Sequence, residues 1–122
     1  LKPSNPILVS STNDKVELIL DVDADLFWFK GHFPIQPILP GVTQIDWVMH
    51  YAMHYLTQGY HFERIVQVKF KKPVLPSTRL YLTLDWQAER QLLTFHFERY
   101  SSQEDATPTS YSQGKIRLCP AQ

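Results

Sequence analysis

Gly31-His32-Phe33-Pro34-Ile35-Gln36-Pro37-Ile38-Leu39-Pro40-Gly41-Val42-Thr43-Gln44-Ile45-Asp46 is the stretch around which the rest of the chain is organised. It begins with a histidine next to Gly31 and closes on a carboxylate fourteen positions after that histidine, with prolines at three-residue steps between them. Proline fixes φ and pushes the residue before it toward extended backbone, so Phe33 to Pro40 reads as a stiff, extended loop. From Gly41 the pattern changes. Ile45, Val48, Met49, Ala52, Met53 and Leu56 recur at three- and four-residue steps, the apolar stripe of an amphipathic helix. That helix is expected from Gly41 to Thr57, about 24 Å long, with Gly59 placed to cap its end. A rigid loop thus presents His32 and leads into a helix that carries Asp46 one turn in. Such a layout suits acid/base chemistry.

Upstream, Pro6 to Ser10 can add a short edge strand, and Lys15 to Asp23 alternates through Val16, Leu18, Leu20 and Val22 as a half-buried strand. Leu26, Phe27, Trp28 and Phe29 form an apolar cluster just before the key loop, read as core packing with some rings free to line a pocket. Downstream, Arg64 to Phe70 places Val66, Val68 and Phe70 on one parity, and Pro73 to Ser77 makes a turn. Thr78 to Gln87 alternates through Leu80, Leu82, Leu84 and Trp86. Ala88 to Arg90 is short enough for a hairpin connection, and Leu93, Phe95 and Phe97 alternate beyond it. Ser101 to Pro108 is a polar loop, and Ser110 to Leu118 gives a last strand. The pattern is α+β: an antiparallel sheet curled around one long helix, residues 1–122 forming a single domain.

Composition narrows the function classes. At 122 residues the chain can bury roughly two-thirds of its unfolded surface. Twelve basic and twelve acidic side chains cancel, which leaves no charge footprint for nucleic acid or membrane lipid. A single cysteine, Cys119, excludes an internal disulfide framework and a cysteine-rich zinc site. Without a signal-peptide pattern or a long apolar run, the chain reads as a soluble cytoplasmic protein. It opens on Leu1 rather than methionine, so a processed chain and a piece of something longer both stay open.

Gly31-His32-Phe33-Pro34, then Pro37-Ile38-Leu39-Pro40-Gly41-Val42 and the acidic Asp46, resembles the bacterial 3-hydroxyacyl-acyl carrier protein dehydratases of the FabA/FabZ branch of the hot-dog fold. Val68-Lys69-Phe70-Lys71-Lys72-Pro73-Val74-Leu75-Pro76 resembles the strand and turn that follow the helix in that family. The wording from Leu39 to Trp47 is similar to stand-alone dehydratases of aryl polyene and related lipid-like pathways. Two departures stand out: Ile35 where the family has glycine, and Pro76-Ser77 where it has Pro-Gly. The first bears on the pocket mouth and so on substrate preference. The resemblance implies a dimer in which the histidine of one subunit faces the carboxylate of the other. It also implies a narrow acyl tunnel beside the helix, for which Phe33, Met49 and Met53 are the candidate liners.

Dehydration of a 3-hydroxyacyl thioester requires a base at C2, an acid at the C3 hydroxyl and a place for charge on the thioester oxygen. His32 is the natural base, since an unperturbed imidazole is mostly neutral near pH 7. Asp46 would protonate the departing hydroxyl or orient a water that does, and an apolar surrounding is expected to raise its pKa for that task. The amides of Gly41 and Val42 open a helix, where N–H groups lack intrahelical partners, and suit a carbonyl as an oxyanion hole. No cofactor is expected, the substrate arriving on the phosphopantetheine arm of an acyl carrier protein. Lys69, Lys71, Lys72 and Arg79 cluster around the Pro73 turn, either as a solvated sheet edge or as a landing patch for that acidic carrier.

Other readings remain open. Asp46, His50 and His54 stand at four-residue steps and could present to a metal, but no His-Glu-x-x-His motif accompanies them and no metal is assigned. A non-catalytic hot-dog subunit that binds acyl-carrier thioesters, and a thioesterase on the same fold, are the functional alternatives.

Overall fold

Alternation along the strands builds the sheet. In the computed structural model, which describes residues 3–24, 38–102 and 107–121, six strands form one antiparallel sheet. They are β1 (Ser4–Ser11), β2 (Lys15–Val22), β3 (Tyr60–Phe70), β4 (Thr78–Gln87), β5 (Leu92–Arg99) and β6 (Ser110–Pro120), in spatial order β1-β2-β4-β5-β6-β3. Helix α1 (Gly41–Tyr55) lies against the inner face. The α+β expectation therefore holds, and the pre-loop aromatic cluster, His32 and Phe33 fall outside the described residues.

The core forms where one parity of each strand meets the helix. Leu18 and Leu20 of β2, Leu80, Leu82 and Leu84 of β4, and Phe95 and Phe97 of β5 are all essentially solvent-free. They surround Trp47, Val48 and Ala52 of α1, which are equally enclosed. Burying a large apolar side chain of this kind is worth about 1.5–3 kcal/mol, so these strands cannot slip by one residue without turning that set toward water.

Three local features differ from the sequence reading, while the hairpin connection expected between β4 and β5 is kept. The buried face of α1 is Gln44, Trp47, Val48, Met49, Tyr51 and Ala52, whereas Met53, expected in the stripe, is 45% exposed. The helix closes without its glycine: the N–H groups of Leu56 and Thr57 both bond the Ala52 carbonyl, at 2.7 and 2.8 Å. Gly59, at φ 88°, instead makes the turn into β3. Between β4 and β5 the chain makes one 3₁₀ turn, Ala88–Arg90, closed by Gln91 in the left-handed region at φ 52°. Finally, β3 begins earlier than expected, at Tyr60, and two register shifts against β6 break its parity. Of the expected inward set Val66, Val68 and Phe70, only Val68 packs on the core.

That last point shapes the whole molecule. Among the described residues β3 is an edge strand, paired only with β6, and it leaves Phe62, Ile65, Val66 and Phe70 between 41% and 50% exposed. Helix α1 adds Val42, 78% exposed, to the apolar side chains left bare. Among the described residues no helix is long and apolar enough to cross a membrane.

Candidate active site

The start of α1 is held by backbone and by two buried polar side chains. Pro40 is the N-cap, extended at φ −61° and ψ 150°, and among the described residues no side chain caps the helix. The first helical bond runs from the Gln44 N–H to the Pro40 carbonyl, at 3.1 Å. The N–H groups of Gly41, Val42 and Thr43 precede it in the turn where amides have no intrahelical acceptor. The Leu39 N–H donates to the Val74 carbonyl, at 2.8 Å, which pins the end of the proline loop to the turn after β3.

Gly41 is glycine for a reason the sequence did not disclose. A Cβ built on it would lie 2.6 Å from Cζ of Phe70 and 3.0 Å from both Cε atoms. An aromatic ring from the end of β3 makes the close approach at this position. The ring rests on the first residue of the helix and stays half exposed.

Asp46 begins the second turn. It lines an open recess of about 450 Å³ together with Val42, Thr43, Ile45, Met49 and Phe62. Four of those five neighbours are apolar. The recess is not enclosed: in the single chain Asp46 is exposed. The open side is the side on which α1 and β3 leave their apolar residues bare. A second recess of about 460 Å³ lies between β3, β5 and β6 and is lined by Gln67, Thr94, His96, Gln113 and Lys115, with no candidate residue among them. Phe95 and Gly114 complete its lining, and the polar liners of β5 and β6 alternate with core residues, which turns them away from the helix.

The expected tunnel liners separate. Met49 is 9% exposed and lines the Asp46 recess, while Met53 lies outside it. His50 and His54 set their rings edge-on to Tyr51 and Tyr55, at 4.9 and 4.6 Å between centroids. Burial, and then the neighbouring Tyr55, push the Tyr51 hydroxyl up to about 12. Among the described residues no group of three potential ligands converges on a metal position.

The basic patch loses a member. Lys69, Lys71 and Lys72 are exposed at the end of β3, with the Lys71 ammonium 3.3 Å from Oε1 of Gln113. Arg79 is on β4, separated from β3 in the sheet by β5 and β6. There it donates twice to Asp21, at 2.8 and 3.1 Å, and lies over the Tyr100 ring. The hydrogen bond and the charge of Asp21 hold the guanidinium above its ordinary value. Residues close in sequence were therefore sorted apart by strand order, and Arg79 is no part of the lysine patch.

A sheet curled around one helix, with a carboxylate in an apolar recess beside uncapped first-turn amides, is the hot-dog architecture. The chain belongs to the ApeI-like family: the family model described as ApeI dehydratase matches residues 8–115. The solved structure of an uncharacterized protein from Erwinia carotovora subsp. atroseptica is similar, 45% identical, with a TM-score of 0.81 over 98% of this chain and 95% of that one. The dehydratase heterocomplex ApeI:P from Xenorhabdus doucetiae contains a chain 42% identical, with a TM-score of 0.77 over 94% of this chain and 98% of that one. Among curated proteins, the 3-hydroxyacyl-[acyl-carrier-protein] dehydratase FabZ of Mannheimia succiniciproducens is 38% identical over 74 residues, 54% of this chain and 49% of that protein. The chain thus aligns with about half the length of the curated relatives it matches.

Proposed function

We propose that this protein is a hydro-lyase that converts a 3-hydroxyacyl-carrier thioester into the trans-2-enoyl thioester and water. His32 removes the C2 proton. Charge gathers on the thioester oxygen, which the Gly41 and Val42 amides receive, and the C3–O bond breaks as Asp46 supplies the proton that lets hydroxide leave as water. No cofactor takes part. The substrate rides on the phosphopantetheine of an acyl carrier protein in the cytoplasm, with Lys69, Lys71 and Lys72 as its landing patch. The observation that carries this reading is the position of Asp46: one turn beyond uncapped amides, in an apolar recess open along the bare face of α1 and β3.

The same openness argues for a partner. In the single chain Asp46 is exposed and its recess is open, and a second subunit seated there would enclose it. β3, eleven residues long and last in the strand order among the described residues, offers exposed apolar side chains for that contact. A second copy of the chain is the occupant we favour, each subunit supplying His32 to the other's Asp46. The Xenorhabdus relative is found in a dehydratase heterocomplex, so a different dehydratase subunit on this face is the reading to test beside it.

The test is incubation with a 3-hydroxyacyl-carrier thioester, followed by mass spectrometry of the carrier. Loss of one water, abolished in His32→Ala, is the expected result. Release of free acid would point to a thioesterase, and unchanged thioester to a binding subunit; either would overturn the proposal.

A further inference from the structure

Gln44 and Ser112 are two of the few polar side chains fully enclosed in the described core, 3% and 0% exposed. They are bonded to each other, the Ser112 hydroxyl donating to Oε1 of Gln44 at 2.7 Å. The other end of the same amide, Nε2 of Gln44, donates to the Leu39 carbonyl at 3.2 Å. Leu39 is therefore gripped on both sides, its N–H by the Val74 carbonyl and its C=O by Gln44. Ser112 pairs across the sheet with Phe70, the residue whose ring rests on Gly41. One rung of the sheet thus reaches the start of α1 at two points, by a hydrogen-bonded brace through Gln44 and by a packing contact through Phe70.

Stability alone gives no reason for such a brace. Replacing both members of a buried hydrogen-bonded pair with apolar groups of the same shape is close to neutral, and a core of this kind accepts volume-conserving apolar swaps. What the pair adds is orientation. With the Leu39 carbonyl held inward, the plane of the Leu39–Pro40 peptide is set, and with it the direction in which the Gly41 and Val42 N–H groups point.

We infer that Gln44 and Ser112 are positioning residues: a buried amide–hydroxyl brace that aims the first-turn amides of α1 at the substrate carbonyl. The inference rests on the dehydratase reading for its kinetic consequence but not for its structural one. Misplacement of a reacting group by about 1 Å costs up to about 100-fold in rate. Gln44→Met keeps the volume and removes the brace. It is expected to lower kcat about 10- to 100-fold with KM close to wild type, and to lower the melting temperature by several degrees, because the buried Ser112 hydroxyl and the Leu39 carbonyl lose their partner. Amide hydrogen exchange at Leu39 and at position 44, whose N–H groups bond the Val74 and Pro40 carbonyls, should accelerate while the strands keep their protection. Ser112→Ala should move the same readouts in the same direction, and Ser112→Thr, which retains the hydroxyl, should leave them near wild type.

Should Gln44→Met fail to fold, the two Ser112 variants carry the test. Wild-type exchange and wild-type kcat in a folded brace variant would overturn the inference. So would a loss of kcat matched by a general loss of protection, which is the mark of a merely structural role. An inactive wild-type protein would remove the dehydratase reading instead, and the exchange experiment would still decide the brace.

Discussion

The contact between Phe70 and Gly41 separates stability from activity. Gly41→Ala places a methyl carbon 2.6 Å from Cζ of Phe70, whereas carbon atoms settle at about 3.5–4.0 Å. The ring must therefore withdraw by roughly 1 Å, or the helix start must move by a similar amount. Phe70 is half exposed, so the ring has room to swing, at the cost of about 0.5–1.5 kcal/mol for an off-rotamer side chain. Against this, alanine in place of glycine within a helix gains up to about 1 kcal/mol. The two nearly cancel. Melting should stay within about 5 °C of wild type, while any share of the shift taken up by the Gly41 and Val42 amides should lower kcat about 10- to 100-fold. Phe70→Leu shortens the ring and makes room for the methyl. The double variant should recover most of the lost rate, which in a double-mutant cycle appears as a coupling of about 1–2 kcal/mol. The assay is enoyl formation from the carrier thioester, with thermal unfolding measured on the same samples. Full activity in Gly41→Ala, or a double variant no better than the single one, would refute the reasoning.

Three further outcomes follow from local geometry. Ser77 sits in the left-handed region at φ 64°, with its N–H bonded to the Val22 carbonyl at 2.7 Å; Ser77→Gly should stabilise the fold by about 0.5–1 kcal/mol in urea unfolding, and a loss of stability would contradict the strain. Lys71→Glu with Lys72→Glu should raise KM for the carrier-bound substrate about tenfold at low salt and less at high salt. Arg79→Ala should leave KM unchanged, because Asp21 already holds that guanidinium. The Tyr51 hydroxyl ionises near 10 when unfolded and at about 12 in the fold. The folded state thus holds its proton more tightly, and stability should fall as pH rises from 10 toward 12. Tyr51→Phe should flatten that decline, and an unchanged slope would remove Tyr51 as its cause.

The legible and illegible parts of this chain divide along physical lines. β2, β4 and β5 were readable almost to the residue, because each has one face on the core and one on solvent, and alternation reports that difference directly. β3 was not. Its apolar residues look core-facing in sequence, but two register shifts and an open edge leave them bare, and a side chain awaiting a partner has the same chemistry as one in a core. The same ambiguity blurred α1, whose apolar positions serve two faces: Trp47, Val48 and Ala52 toward the sheet, Val42 and Met53 away from it. Asp46 was singled out by the spacing of its motif, and it lines the recess beside the start of α1. Gln44 was missed because a polar residue on a helix reads as solvent-facing, and only the fold shows Ser112 waiting beneath it. The left-handed turn at Ser77 left no trace either, since serine is an ordinary turn residue and only φ reveals the cost.

Whether the site is shared between two copies of the chain can be tested by mixing two damaged proteins. His32→Ala and Asp46→Asn, each inactive alone, are unfolded together in equal amounts and refolded, and enoyl formation is compared with wild type treated the same way. If each site takes its histidine from one copy and its aspartate from the other, mixed dimers carry one intact site. Random pairing in a two-fold dimer then restores about a quarter of wild-type activity. No recovery, with mixed dimers shown to have formed, would contradict a site built across two copies of this chain.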